Sequence, residues 1–246
     1  MDRRLTGLDL KTSLSALADL AMPRECIVCG TALMPGERHI CLCCRADLPR
    51  TDFRLLSRNP MSAKFNARIA ASGDEGYVPY SYAIALYYYQ AGYKEISQAL
   101  KYRGNLAAGR YFASLLGDEI LAAPHFSDVD LVLPVPLHWT RKWKRGYNQA
   151  ELIAAEVARK AGVRCRTDVL VRCRRTRSQT RLSGDEKARN VSGAFRVARV
   201  PEARHILLVD DVHTTGSTLF ACYEALRGVM GPEVRISVAT LAYVGD

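Results

Sequence analysis

The chain has 246 residues, 48% of them hydrophobic and 24% charged, a balance that suits one or two globular domains and excludes a fibrous or unfolded chain. No apolar run approaches the roughly 20 residues needed to span a bilayer. Asp9, Lys11 and Asp19 interrupt the N-terminal apolar residues, so neither export nor membrane insertion is expected and a cytoplasmic location is. The net charge of +10 is concentrated: residues 138–190 hold fifteen Lys or Arg against five Asp or Glu, an excess equal to that of the whole chain. Such a block suggests an anionic partner, polyphosphate or nucleic acid.

In chain order, Leu10, Leu14, Leu17, Ala18 and Ala21 have helical spacing and predict a short helix over 8–21, closed by Pro23. A cysteine-rich stretch follows over 24–50, so residues 1–50 read as an N-terminal helix and metal ribbon. Residues 51–82 contain Pro60, Gly73, Gly76 and Pro79 with weak periodicity and read as a linker. From 83 to 246 the pattern alternates. Strands are predicted at 83–89, 130–135, 163–171, 205–210 and 234–243. Helices are predicted at 93–102, 107–121, 148–162 and 217–228, and a polar, basic loop at 172–193. Alternating strands and helices imply an α/β domain with a largely parallel sheet covered on both faces.

The segment HILLVDDVHTTGSTLFACYEAL at 205–226 carries the chemistry. An apolar strand ends in two carboxylates, Asp210 and Asp211. A Thr/Gly/Ser loop follows, and then a helix. Ligands of open α/β sheets bind at the carboxyl ends of strands, and a helix N-terminus with free N–H groups favours an anion. Gly216 allows close approach to the backbone, while Thr214, Thr215, Ser217 and Thr218 add hydroxyl donors. This cradle suits a terminal phosphate, and the Asp pair suits the vicinal hydroxyls of a ribose, directly or through Mg²⁺. The loop lacks the lysine of a nucleotide triphosphatase phosphate loop. His213 lies inside the motif and is a weak candidate for a general base.

The run VDDVHTTGST resembles the signature of type I phosphoribosyltransferases, which bind phosphoribosyl pyrophosphate. The resemblance implies that Asp210 and Asp211 contact the ribose and that residues 214–218 hold the 5′-phosphate. The loop after the first core strand binds pyrophosphate in such enzymes. Here that place is Pro134 to Gly146, with Arg141, Lys142, Lys144 and Arg145. Lys101 and Arg103, in ALKYRG, are further candidates. A hood loop is implied at 173–195, where Arg174, Arg175, Arg177 and Gln179 could close over an anion.

The ordered set CxxC…CxxC, ALKYRG, PVPLHWTRKWKRGYNQA, RTRSQTRLSGDEKARNVSGAF and VDDVHTTGST is similar to the competence protein F family (ComF, with the related GntX proteins) over nearly the whole chain. That resemblance implies a type I phosphoribosyltransferase-like fold with an N-terminal zinc ribbon, a role in uptake of transforming DNA, and a helicase-like partner. It supplies no acceptor base. The alternative is a non-catalytic module that binds a nucleotide or single-stranded DNA and docks the helicase. Tyr87, Tyr88 and Tyr89 might suggest stacking platforms for bases, but three tyrosines in a row on a strand more often pack on both faces of a sheet.

Cys26-x₂-Cys29 and Cys41-x₂-Cys44 can set four thiolates tetrahedrally around Zn²⁺ as a closed, structural site. Cys43 could replace Cys44, although the spacing favours Cys44, and His39 is a weaker candidate ligand.

Overall fold

A computed structural model of the chain describes residues 24–72, 78–173 and 193–245. The N-terminal helix expected over 8–21 and most of the hood loop, with Arg174, Arg175, Arg177 and Gln179, lie outside the described residues.

The strands are β1 (Ala83–Tyr88), β2 (Leu131–Pro134), β3 (Arg164–Cys165), β4 (Leu170–Arg172), β5 (Phe195–Val197), β6 (His205–His213) and β7 (Arg235–Tyr243). Five form one sheet in the order β1-β7-β6-β2-β3, and every pairing in it is parallel. Its central strands are buried along nearly their whole length, as expected when helices cover both faces. The helices are α1 (Leu42–Ala46), α2 (Pro60–Ala71), α3 (Lys94–Tyr102), α4 (Leu106–Leu121), α5 (Trp139–Arg145), α6 (Gln149–Ala161) and α7 (Ser217–Arg227).

Strand order determines where a crevice opens. From β2 the chain crosses to β3 on one side, and it later returns to β6 on the other side of β2. The connections after β2 and β6 therefore diverge, and a crevice opens beyond their carboxyl ends. Val209 on β6 is paired with Pro134 on β2, which brings the Asp210–Asp211 end beside the start of the basic segment.

Two expectations need correction. The stretch 51–82 is not merely a linker, because Pro60–Ala71 form helix α2. Pro60 occupies the first helical turn, where its missing N–H costs nothing, and Asn59 with Ser62 closes a capping box. Met61, Phe65 and Ile69, one per turn, are buried in the main core. Each fully buried apolar side chain of this size contributes roughly 1.5–3 kcal/mol. Phe65 meets Phe220 and Tyr223 of α7 edge-on.

The strand expected over 163–171 is two strands. The Asp168 carboxylate takes both Arg166 guanidinium bonds, at 2.9 and 2.8 Å, and the chain turns there. Only β3 stays in the main sheet. β4 leaves it to pair antiparallel with β5.

The cysteine-rich stretch packs onto the α/β body. Cys26, Ile40, Cys41 and Leu48 belong to the same continuous core as the sheet. Pro49 O accepts from Tyr88 N at 2.8 Å, which ties the stretch to the edge of β1.

Candidate functional site

The crevice is a cavity of about 700 Å³. One wall is the end of β6 and the turn into α7. Gly216 caps α7 with φ +71°, and a Cβ there would lie 2.6 Å from His213 Nε2, so both backbone angle and space require glycine. Thr214, Gly216, Ser217 and Thr218 line the cavity. Thr215 does not. Its hydroxyl pairs with Ser217 Oγ at 2.9 Å, and its carbonyl accepts from Arg68 on α2 at 2.7 Å.

Asp210 and Asp211 line the floor. Burial and the neighbouring Asp211 carboxylate push the Asp210 pKa up to about 7. Two adjacent carboxylates of this kind are relieved by a divalent cation, so the donor set fits Mg²⁺. Lys101 reaches over from α3 and pairs with Asp211 at 2.9 Å. Burial disfavours the Lys101 charge, but the Asp211 and Asp210 carboxylates outweigh it and raise its pKa. Lys101, the further candidate from ALKYRG, therefore lines the cavity at the carboxylates.

A basic wall carries Arg141 and Arg145, and Arg172 joins the lining. Arg172 was not foreseen. It sits on β4, partly buried, with its guanidinium 5.2 Å over the Phe195 ring, and burial and the nearby Arg141 charge lower its pKa. Lys142 is not among the lining residues: its ammonium bonds both oxygens of Glu151, at 2.9 and 3.0 Å. The sequence spacing could not separate it from its neighbours, because the segment forms α5 and successive residues face different directions.

The run RGYNQ fixes this wall. Arg145 donates to Gln149 Oε1 at 3.0 Å and lies 5.5 Å over the Tyr102 ring. Gly146 ends α5 at φ +81°. Tyr147 donates its hydroxyl to Leu100 O on α3. Asn148 caps α6 and donates to Val135 O at 3.0 Å. Gln149 is buried and lines the cavity, and its Nε2 has no partner among the described residues.

His213 is buried, and burial takes its pKa down to about 4. Its ring supports Gly216 from beneath, so it is neutral near pH 7 and serves packing better than proton transfer. Tyr87 is fully buried and bonds Ser97 at 2.9 Å, so it is a core residue and offers no stacking surface.

The four thiols of Cys26, Cys29, Cys41 and Cys44 converge, all within 4.8 Å of one another. Four sulfurs tetrahedrally placed about 2.3 Å from Zn²⁺ would be ~3.8 Å apart, and Cys29 and Cys41 Sγ are 3.8 Å apart. Cys26 Sγ accepts from Cys41 N at 3.3 Å, and Cys41 Sγ from Cys44 N at 3.4 Å, as thiolate ligands do. Cys43 is exposed and outside the group. His39 is outside it too, packed 5.7 Å from the Tyr111 ring.

Residues 148–246 match the family model of the phosphoribosyl transferase domain. The chain is 29% identical to "DNA utilization protein YhgH" of Escherichia coli (strain K12) over 204 residues, covering 81% of this chain and 89% of that protein. It is 32% identical to "Competence protein F" of Haemophilus influenzae over 145 residues, covering 56% of this chain and 63% of that protein. It is 36% identical to the Salmonella typhimurium protein named "DNA utilization protein YhgH" over 120 residues, covering 48% of this chain and 52% of that protein.

Proposed function

Since this chain is a phosphoribosyltransferase-like protein of the competence protein F family, we propose that its cavity binds phosphoribosyl pyrophosphate with Mg²⁺, in a cytoplasmic role in the use of incoming DNA. One observation carries the reading. One cavity of about 700 Å³ is lined together by a glycine-containing helix start, two carboxylates and three arginines. That set of groups suits the 5′-phosphate, the ribose diol and the pyrophosphate of one ligand. Thr214, Gly216, Ser217 and Thr218 offer donors to the phosphate. Asp210 and Asp211 accept from the diol or would hold the metal, whose charge would offset that of the phosphates. Arg141, Arg145 and Arg172 neutralise the pyrophosphate.

If the bound ligand passes its ribosyl group to an acceptor, these residues act by positioning it and by stabilising charge on departing pyrophosphate. Calorimetric titration with Mg²⁺ and phosphoribosyl pyrophosphate tests the binding. The wild type is expected to bind in the micromolar range. Asp210→Asn/Asp211→Asn should weaken binding at least tenfold, about 1.4 kcal/mol. No binding to either protein would sink the reading.

A structural zinc ion belongs to the same proposal. Cys44→Ser should lose metal by elemental analysis, and Cys43→Ser should keep it. The reverse result would reassign the ligand.

A second reading, single-stranded DNA held at the cavity mouth beside a helicase partner, has its own support. Trp139 and Trp143, one turn apart on α5, are 72% and 86% exposed among basic residues. Bases stack on such aromatic faces while cations meet the backbone. Trp139→Ala/Trp143→Ala should weaken binding of an oligothymidylate about tenfold, since stacking contributes roughly 1–3 kcal/mol per base. Unchanged affinity would remove α5 from that surface.

A further inference from the structure

Helix α2 lies outside the residues that match the phosphoribosyl transferase domain, yet it reaches the phosphate loop. Arg68 donates from one guanidinium nitrogen to Thr215 O at 2.7 Å and to Ser217 Oγ at 3.3 Å. The guanidinium itself lies 5.1 Å over the Phe220 ring on α7, which limits where it can swing. Its helix is fixed in turn by buried Met61, Phe65 and Ile69.

The direction of these bonds matters. A trans peptide points its C=O and its N–H to opposite sides, and no peptide among the described residues is cis. Thr215 O is turned to Arg68, so the N–H of the same peptide, that of Gly216, is turned the other way. Gly216 lines the cavity, while neither Thr215 nor Arg68 does. Ser217 Oγ accepts from Arg68 and shares a 2.9 Å bond with the Thr215 hydroxyl; when Thr215 donates in that pair, the Ser217 O–H is left for the cavity. Without the guanidinium, the Thr215–Gly216 peptide could turn over and present a carbonyl oxygen where an anion must bind.

We propose that Arg68 is a positioning residue for the 5′-phosphate site: from behind the loop it holds the Gly216 N–H and the Ser217 hydroxyl as donors toward the cavity. The assignment rests on the phosphoribosyl reading of that cavity. It predicts a defect confined to one end of the ligand, because Arg141, Arg145 and Arg172 are held by other elements.

The test compares two probes by calorimetry on the full-length zinc-loaded protein, ribose 5-phosphate and Mg²⁺-pyrophosphate. Arg68→Ala should weaken ribose 5-phosphate at least tenfold and change Mg²⁺-pyrophosphate less than twofold. Arg68→Lys should fall between Arg68→Ala and wild type, since an ammonium keeps the charge but not the planar fork. An equal loss for both probes, or no loss for either, overturns the assignment. If the wild type binds neither probe, the functional reading fails separately. Arg68 is then judged by amide hydrogen exchange over 214–218. Exchange at least tenfold faster in Arg68→Ala supports the hold on the loop, and unchanged exchange overturns it. Should Arg68→Ala fail to fold, Arg68→Gln, which keeps a planar donor without charge, takes its place in both measurements.

Discussion

The two ends of strand β6 hold similar residues in opposite states. At its amino end, His205 is buried with both ring nitrogens satisfied, Nδ1 by Asp128 at 2.6 Å and Nε2 by Ser237 Oγ at 2.8 Å. Ser237 also accepts from Tyr82 N at 3.0 Å, and Arg235 donates to Asp128 at 2.9 Å. The row Asp128–His205–Ser237 has the order of a nucleophilic triad. Ser237, however, is fully buried at the amino ends of the strands, so this is a structural clasp. At the carboxyl end, His213 Nδ1 has no partner among the described residues, and Asp210 is pushed up to about 7 by burial and by Asp211. A satisfied network stabilises the fold. An unsatisfied carboxylate pair is what a bound cation would relieve.

Mutations at the two ends should separate stability from binding. The largest effect on folding belongs to the clasp. His205→Ala leaves Asp128 and Ser237 without their partner and opens a cavity, at a cost of roughly 2–4 kcal/mol. Its affinity for phosphoribosyl pyrophosphate should stay within twofold of wild type. Chemical denaturation and calorimetry measure both, and a large loss of affinity would mean that the two ends are coupled.

Asp210→Asn should do the opposite. Affinity should fall at least tenfold, while stability at pH 8 should rise by about 1 kcal/mol, an amount discounted because Asp210 keeps some solvent contact. If the variant is instead less stable, the carboxylate is well solvated and the contrast between the ends dissolves.

The smallest effects are in pH dependence, and their signs differ. Asp210 has a raised folded pKa, so the folded state binds more protons than the unfolded chain between about pH 4 and 7. Its contribution to stability is fully present below the unfolded value and is lost as pH rises through 7. Burial lowers the His205 pKa despite the opposing Asp128 charge. Its contribution is therefore lost as pH falls below the ordinary histidine value of about 6.5. Melting temperatures across pH 5–8 should lose the alkaline decline in Asp210→Asn and keep the acid decline. Mg²⁺-dependent binding should strengthen from pH 6 to 8 as Asp210 gives up its proton, and a flat profile would contradict the raised pKa.

Local pattern determined much of this protein. The apolar run before Asp210 and Asp211, the Thr/Gly/Ser turn and the helix after it require only neighbouring residues; the helix starts at Ser217 as the pattern put it, while the strand expected over 205–210 runs on to His213. Two CxxC pairs bring four sulfurs together through short turns, so Cys26, Cys29, Cys41 and Cys44 were readable from spacing.

Tertiary structure decided the rest, because it depends on residues far apart in the chain. Helix α2 is held by Phe65 packing against α7, more than 150 residues away, and Arg68 meets Thr215 only through that packing. Lys101 reaches Asp211 because α3 lines the crevice, a placement that composition does not record. Within one basic run, Arg141 and Arg145 turn to the cavity and Lys142 turns to Glu151, because a helix sends successive side chains in different directions. The pattern thus specified the Thr/Gly/Ser loop, and packing selected which distant cations surround it.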